Sequence, residues 1–285
     1  MIVVTGSTGT NGQEIIKQLS DGGHSVRAMV RKRDDRAERL KNERVDVVVG
    51  DFADDASLRT VLEESRAALL LPANSEHQWE QEQRFIDVAE DCGVQRIVKF
   101  SAAGADERSE SPILNLHGKS ETYLAASGLE FTHLRPTYFM QNLLQFSESI
   151  KREGKFYLPL AGATISMVDV RDIAAVAVAS LTSDTHVGKT YEITGPCAIG
   201  FEEVAAELEL VLGRDIEFVA IPDASFKEGL LSFGLSEWFA DALIQLFVGA
   251  RNGAQAHVSE AVLQATGQAP RPLAQFLRDH AKSFA

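Results

Sequence analysis

The chain has 285 residues, 45% of them hydrophobic, enough to bury one large core or two unequal ones and too many for a disordered polypeptide. Its 28 lysines and arginines against 41 aspartates and glutamates leave a formal charge of −13 with no basic stripe to offset it, which argues against nucleic acid or anionic lipid as a direct partner. No apolar run approaches the roughly 20 residues of a membrane helix, no charged-then-apolar leader opens the chain, and Cys92 and Cys197 have neither C-x-x-C nor metal-ligand spacing, so the expectation is a cytoplasmic protein without membrane anchor or metal, both thiols buried and reduced.

Ile2, Val3, Val4 and Thr5 predict a strand that runs into Gly6, Gly9 and Gly12, after which Ile15, Ile16 and Leu19 take up helical spacing. In such a strand–turn–helix unit the first glycine lets the backbone turn, the second lets a diphosphate approach main-chain N–H groups, and the third lets the helix pack on its strand. Gly6, Ser7, Thr8, Gly9, Thr10, Asn11 and Gly12 are therefore the expected phosphate cradle, at a helix N-terminus that favours an anion. The spacing G-x-x-G-x-x-G is looser than the general dinucleotide fingerprint, and a plain tight turn is the competing reading. The strand before the turn and a second strand at 25–31 favour the dinucleotide.

That second strand ends in Arg31, Lys32 and Arg33, where a carboxylate would grip an adenosine ribose and an arginine would accommodate a 2′-phosphate. Arg31, with Lys32 or Arg33 assisting, argues for NADP(H) over NAD(H); the alternative is a solvated basic start to a helix over 34–42, and Asp34 and Asp35 blur the signal. A third strand over 45–50 ends at Asp51 and Phe52, placed to meet adenine's amino group and ring, unless the aspartate caps the helix over 54–64. A fourth strand, 67–71, closes at Pro72-Ala73-Asn74, a helix covers 78–92, and a fifth strand, 96–100, has Ser101 at its tip. The steady β/α alternation predicts a doubly wound parallel Rossmann sheet with helices on both faces.

A loop over 102–112 leads to a helix over 113–127 that carries His117, Lys119, Glu121 and Tyr123, then a sixth strand over 130–134. A helix over 138–152 follows, then 165–170 leading into a small-residue helix over 172–181, with Asp169 or Asp172 as an N-cap, and a strand over 189–194. The remainder is mostly helical, with a short strand near 216–219. The run 226–248 holds more apolar and aromatic residues than one buried stripe accommodates, among them Phe233 and Trp238, which suits a cover over a ligand or a surface for a second subunit or a regulatory protein partner. The domains expected are 1–152, with 165–195 returning to it, for NAD(P), and 196–285 as a smaller, mainly helical C-terminal substrate domain.

The opening VTGSTGTNG, the strand VRAMVR, the GD after the third strand, and the blocks HGKSE, SGLEFTHLRPTYFMQN and VDVRDIA together resemble the NmrA-like family of atypical short-chain dehydrogenases/reductases, over about residues 1–222. The resemblance implies an NADP(H)-binding Rossmann domain with a small substrate domain, in a family of quinone, triphenylmethane-dye and phenylpropanoid reductases that also includes cofactor-binding redox sensors. The wider superfamily's Tyr-x-x-x-Lys is absent: Tyr123, Tyr138, Tyr157 and Tyr191 are followed four places on by Ser127, Asn142, Ala161 and Gly195. By the same resemblance Lys119 would bind the nicotinamide ribose, Ser101 would stand at the superfamily's serine position, and His117 is a weaker candidate, facing away from Lys119 on the helix. The alternative for Lys119 is an exposed helix lysine.

Losing the tyrosine removes the usual general acid. Hydride reduction of a simple ketone leaves an alkoxide that wants a proton donor, whereas a quinone or cationic dye delocalises what it receives. The expected substrate is thus a small, electron-poor aromatic acceptor, stacked among residues such as Tyr138, Phe139, Phe233 and Trp238, with Asn74, Ser101 and Lys119 beside the nicotinamide. The rival expectation is a non-catalytic NADP(H) sensor acting through a protein partner.

Overall fold

The structure, a computed structural model, describes residues 1–285. In chain order the elements are β1 (Ile2–Val4), α1 (Thr10–Asp21), β2 (Val26–Val30), α2 (Asp35–Glu38), β3 (Val45–Val49), α3 (Asp55–Leu62), β4 (Ala67–Leu70), α4 (Gln78–Asp91), β5 (Arg96–Phe100), α5 (Pro112–Ala126) and β6 (Glu130–Pro136). They continue with α6 (Ser147–Glu153), β7 (Lys155–Leu158), β8 (Thr164–Ile165), α7 (Val170–Thr182), β9 (Lys189–Ile193), β10 (Ile199–Gly200), α8 (Phe201–Leu212), β11 (Glu217–Ala220), α9 (Asp223–Ser232), α10 (Glu237–Arg251), α11 (Ala261–Thr266), α12 (Leu273–Asp279) and α13 (Ala281–Phe284). The chain divides into two compact units, Met1–Arg135 with Ile173–Tyr191, and Pro136–Asp172 with Glu192–Ala285. The domain expectation from sequence drew its boundary after 152 and kept 165–195 with the first domain; the units exchange chain at Arg135, Asp172 and Tyr191.

The first unit is built on a seven-stranded sheet in the order β3-β2-β1-β4-β5-β6-β9. Strands β1 to β6 pair in parallel, with Ile2 opposite both Val26 and Ala67. The doubly wound expectation is met. The central strands β4 (AALL) and β5 (RIVKF) are buried at every position, as strands covered on both faces are, whereas edge strand β3 (VDVVV) exposes Asp46 and Val49. One face packs Leu58, Val61 and Leu62 of α3 and Phe85, Ile86 and Ala89 of α4 against Val3, Ala68, Leu70 and Ile97. Each fully buried Val, Leu, Ile or Phe among them stabilises the unit by about 2 kcal/mol. The strand order reverses between β1 and β4, and ligands of open α/β sheets bind beyond the carboxyl ends at that reversal.

The second unit has its own core, with Phe156, Phe201, Leu208, Phe276 and Phe284 fully buried. Two small sheets serve it: β7 pairs in parallel with β11, and β8 antiparallel with β10. Strands β8 and β10, of two residues each, are too short to leave a periodic signal. The block VDVRDIA closes the unit rather than doing chemistry. Asp169 accepts the Arg171 N–H (2.9 Å), Arg171 also reaches Asp279 at 2.7 Å, and Asp172 takes both the N–H (2.7 Å) and the guanidinium of Arg271, so α12 is pinned to the start of α7.

Several boundaries differ from the sequence reading. The helix expected over 34–42 is the single turn α2, because Asn42 turns back to bridge Val45. The helix expected over 138–152 begins later, as a 3-10 turn at Met140–Phe146 followed by α6. Tyr138 and Phe139 stay extended because their main chain pairs with Val168: the Val168 N–H donates to Tyr138 (3.0 Å) and the Met140 N–H to Val168 (2.9 Å). The same pairing makes most of 165–170 irregular. The run 226–248 breaks into α9 and α10 at Gly234, whose φ of +79° ends one helix before Ser236 caps the next. The thiols are not both buried: Cys92 is half-buried and Cys197 exposed. No helix is long and apolar enough to cross a membrane.

Candidate functional site

The turn after β1 is fixed from both sides. Thr5 donates through Oγ1 to the Leu69 carbonyl (2.9 Å) and accepts the Leu71 N–H (2.7 Å), tying the tips of β1 and β4 together. Ser7 Oγ donates back to the Val4 carbonyl at 2.6 Å. Gly6 has φ +61°, and a Cβ there would lie 2.6 Å from the Leu71 oxygen; a Cβ on Gly12 would lie 2.2 Å from the Gly6 oxygen. Both positions therefore exclude any other residue for the chain's own packing.

Gly9 is different. Its backbone is extended (φ −82°, ψ 166°), open to any residue, and a Cβ would meet only the Gly6 oxygen, at 3.3 Å. At 3.3 Å that contact is tight without overlapping, so the chain's own packing constrains Gly9 far less than Gly6 or Gly12. Gly9 N-caps α1 with no side-chain cap and no acidic residue in the first turn. The helix ladder starts with Gln13 donating to Gly9, so the N–H groups of Thr10, Asn11 and Gly12 have no partner in the helix. Asn11 Oδ1 is buried there without a hydrogen bond. Unpartnered donors, a cleared cradle and no carboxylate fit the diphosphate of a dinucleotide.

Of the residues expected to meet the adenosine half of a cofactor, Arg31 and Lys32 are exposed beyond β2 and engaged by no neighbour, while Arg33 donates to the Val47 carbonyl at 3.0 Å. Asp34, which blurred the charge pattern, is occupied as the α2 cap, accepting from the N–H groups of Arg36 and Ala37. The cap of α3 is Asp54, not Asp51. Asp51 is exposed with Oδ1 accepting the Ala53 N–H (2.9 Å), and Phe52 is half-buried with its ring 5.7 Å from Phe85.

At the other candidate positions of this unit, Asn74 is exposed and Ser101 is buried with its Oγ unpartnered at the tip of β5. The block HGKSE on α5 resolves residue by residue. Gly118 is required by the loop before α5, since a Cβ would lie 2.2 Å from the Glu107 nitrogen. Ser120 donates to Leu116 (3.1 Å), and Glu121 holds Arg135 at 2.9 Å. One turn on, Tyr123 donates to Asp87 at 2.6 Å, which pushes its hydroxyl pKa up. Lys119 alone of the block's charged groups is exposed and unpaired. The residue four places before it is Asn115, which donates to the Glu107 carbonyl.

His117 is buried, and the structure surrounds it with a pair that the sequence reading missed. Lys99 on β5 and Glu82 on α4, both fully buried, meet at 2.6 Å, and Lys99 Nζ also stands 3.0 Å from His117 Nδ1. Burial and the Lys99 charge hold the imidazole well below its usual pKa, and burial pushes the Glu82 carboxyl up against the pull of Lys99. The available signal was a lysine inside a strand that is otherwise apolar after its first residue. Nearby His133 is held down to about 4, chiefly by burial, so its 3.7 Å approach to Glu121 is that of a neutral ring. No group of three or more His, Cys, Asp or Glu residues is placed to hold a metal ion.

The aromatic candidates of the second unit fall into two settings. Tyr138 packs edge-on to Phe201 with ring centroids 6.1 Å apart, burial pushing its hydroxyl pKa well up, and Phe139 is half-buried. Phe233 lies in the turn between α9 and α10, 87% exposed beside exposed Leu231 and Leu235, while Trp238 is half-buried in the first turn of α10.

A model of the NmrA-like family matches residues 1–268. An NAD(P)H azoreductase from Xenophilus azovorans is 33% identical over 284 residues, covering 100% of this chain and 99% of the relative. Quinone oxidoreductase 2 from Escherichia coli is 29% identical over 278 residues, 96% of each chain. The solved structure of an Escherichia coli NADPH-dependent quinone oxidoreductase in complex with NADPH matches with a TM-score of 0.87 at 27% identity, over 99% of this chain and 100% of that one.

Proposed function

The chain belongs to the NmrA-like family, and from that premise we propose that it is an NADPH-dependent oxidoreductase that transfers hydride to a quinone-like, azo or dye-like electron-poor aromatic acceptor. The observation that carries this reading is the state of α5: its block is paired or packed at every polar position except Lys119, and Asn115 stands where a tyrosine acid would precede that lysine. Relatives named for azo and quinone reduction support the acceptor class.

In this proposal the first unit is the cofactor domain. Gly9 and the free N–H groups of α1 hold the diphosphate, Arg31 with Lys32 meets the 2′-phosphate, Asp51 and Phe52 meet adenine, and Lys119 holds the nicotinamide ribose with Asn74 and Ser101 beside it. The bound cofactor supplies the hydride. The chain supplies position and charge, and the acceptor's delocalisation takes the place of a tyrosine proton donor. Tyr138, Phe139, Phe233 and Trp238 are the acceptor's proposed aromatic neighbours, and the setting is cytoplasmic.

A second reading, a cofactor sensor acting through a protein partner, is favoured by one observation, the exposed apolar group Leu231, Phe233 and Leu235. Steady-state NADPH oxidation with a panel of quinones, azo dyes and triphenylmethane dyes separates the two. Turnover with at least one acceptor, lowered at least tenfold in Lys119→Ala, is expected. Tight NADPH binding with no turnover on any acceptor would give the sensor reading the advantage.

A further inference from the structure

The buried polar cluster of the first unit ties three elements together, with Gln78 Oε1 and Glu82 Oε2 left without a hydrogen bond. Lys99 Nζ contacts Glu82 Oε1 at 2.6 Å and His117 Nδ1 at 3.0 Å and donates to the Phe100 carbonyl at 3.1 Å. Gln78 Nε2 contacts His117 Nδ1 at 3.1 Å and Glu82 Oε1 at 3.4 Å. An ammonium has only donors, so Nδ1 accepts and the imidazole proton sits on Nε2. Gln78, Glu82 and Lys99 are fully buried. A buried ion pair rarely stabilises a fold more than apolar side chains of the same size would, so stability does not account for it.

Its placement does. Gln78 opens α4 four residues after Asn74, Lys99 precedes Ser101 by two, and His117 precedes Lys119 by two. The three chain segments that carry the candidate nicotinamide-side residues are thus joined, by side-chain bonds, at one point under them. We propose that the Gln78–Glu82–Lys99–His117 cluster is the positioning device of the nicotinamide half of the site, holding α4, β5 and α5 in one register so that Asn74, Ser101 and Lys119 are presented together. His117 is on this view a positioning residue whose Nδ1 is the joint of the cluster. The inference rests on the reading of this unit as an NADP(H) site.

The test compares two ligands by titration. NADPH occupies the whole site, and 2′,5′-ADP only its adenosine half. The triple variant Glu82→Leu/Lys99→Met/His117→Leu replaces the ion pair and the imidazole by apolar side chains and leaves no charge unpaired, at the cost of the partners of the Gln78 amide. It is expected to stay folded and to bind 2′,5′-ADP within twofold of wild type, but to bind NADPH at least tenfold more weakly. Should the triple variant not fold, Gln78→Leu removes one neutral link, and a threefold or greater drop in the NADPH preference over 2′,5′-ADP is expected. A folded variant that keeps the wild-type preference overturns the positioning role alone. Wild-type protein that binds neither nucleotide overturns the cofactor reading and the inference with it.

Discussion

The glycine turn and the α4–β5–α5 cluster both fix chain segments of the first unit's parallel sheet and its helices, by opposite means. The turn is built from backbone: Gly6 and Gly12 are set by contacts with neighbouring main chain, no ionisable side chain takes part, and at Gly9 an added Cβ would meet nothing nearer than 3.3 Å. The cluster is built from side chains drawn from three elements that contact one another, while Lys119 is the free cation of its block. Residues of one motif can therefore have opposite duties. Three glycines in seven positions divide into two fixed by the chain's own packing and one proposed for the ligand, and five residues of HGKSE divide into four that are packed or paired and one, Lys119, that is exposed.

The largest effect should come from dividing the glycines. Gly12→Val drives a Cβ into the Gly6 carbonyl and should cost about 3 kcal/mol or more of stability, read as a lowered urea midpoint. Gly9→Val should leave that midpoint nearly unchanged while weakening NADPH by roughly a hundredfold, about 2.7 kcal/mol. Equal loss of stability in both variants would erase the distinction.

Acid should separate the two regions next. His133, held down to about 4 by burial, stays neutral in the folded state while the unfolded histidine titrates near 6.5. Its stabilising contribution is complete above that unfolded value and is lost as pH falls towards the folded one, because only the unfolded chain takes up the proton in between. Lowering the pH from 7 to 5 should cost about 2 kcal/mol from this residue, and His133→Gln should reduce the loss over that range by about this amount. Parallel urea profiles for the two proteins would remove His133 as the cause.

Smaller still is the adenosine edge. Arg31 is exposed, so its contact with a 2′-phosphate should contribute about 1.5 kcal/mol, roughly tenfold in affinity. Arg31→Ala should weaken NADPH by that amount and leave NADH alone; wild-type protein with no preference between them ends the assignment. The smallest change expected is in the second unit, where Trp238→Ala should raise KM for an aromatic acceptor by about threefold at unchanged NADPH affinity, as loss of a contact made by acceptor alone. A fall in kcat with KM unchanged would place Trp238 elsewhere in function.

The sequence by itself determined the parts whose causes are local. The β1–turn–α1 unit, the β/α alternation, the sheet it winds and the family follow from glycine spacing, strand composition and block order, all of which act between residues near one another in the chain. Tertiary structure decided the rest. Tyr138 and Phe139 resist a helix because Val168 takes their main chain, and Asp172 became a clamp because Arg271, 99 positions away, arrives beside it. Lys99 and Glu82 lie 17 positions apart on a strand and a helix, and only the fold brings them to 2.6 Å and buries both, so that two ordinary charges become a buried ion pair.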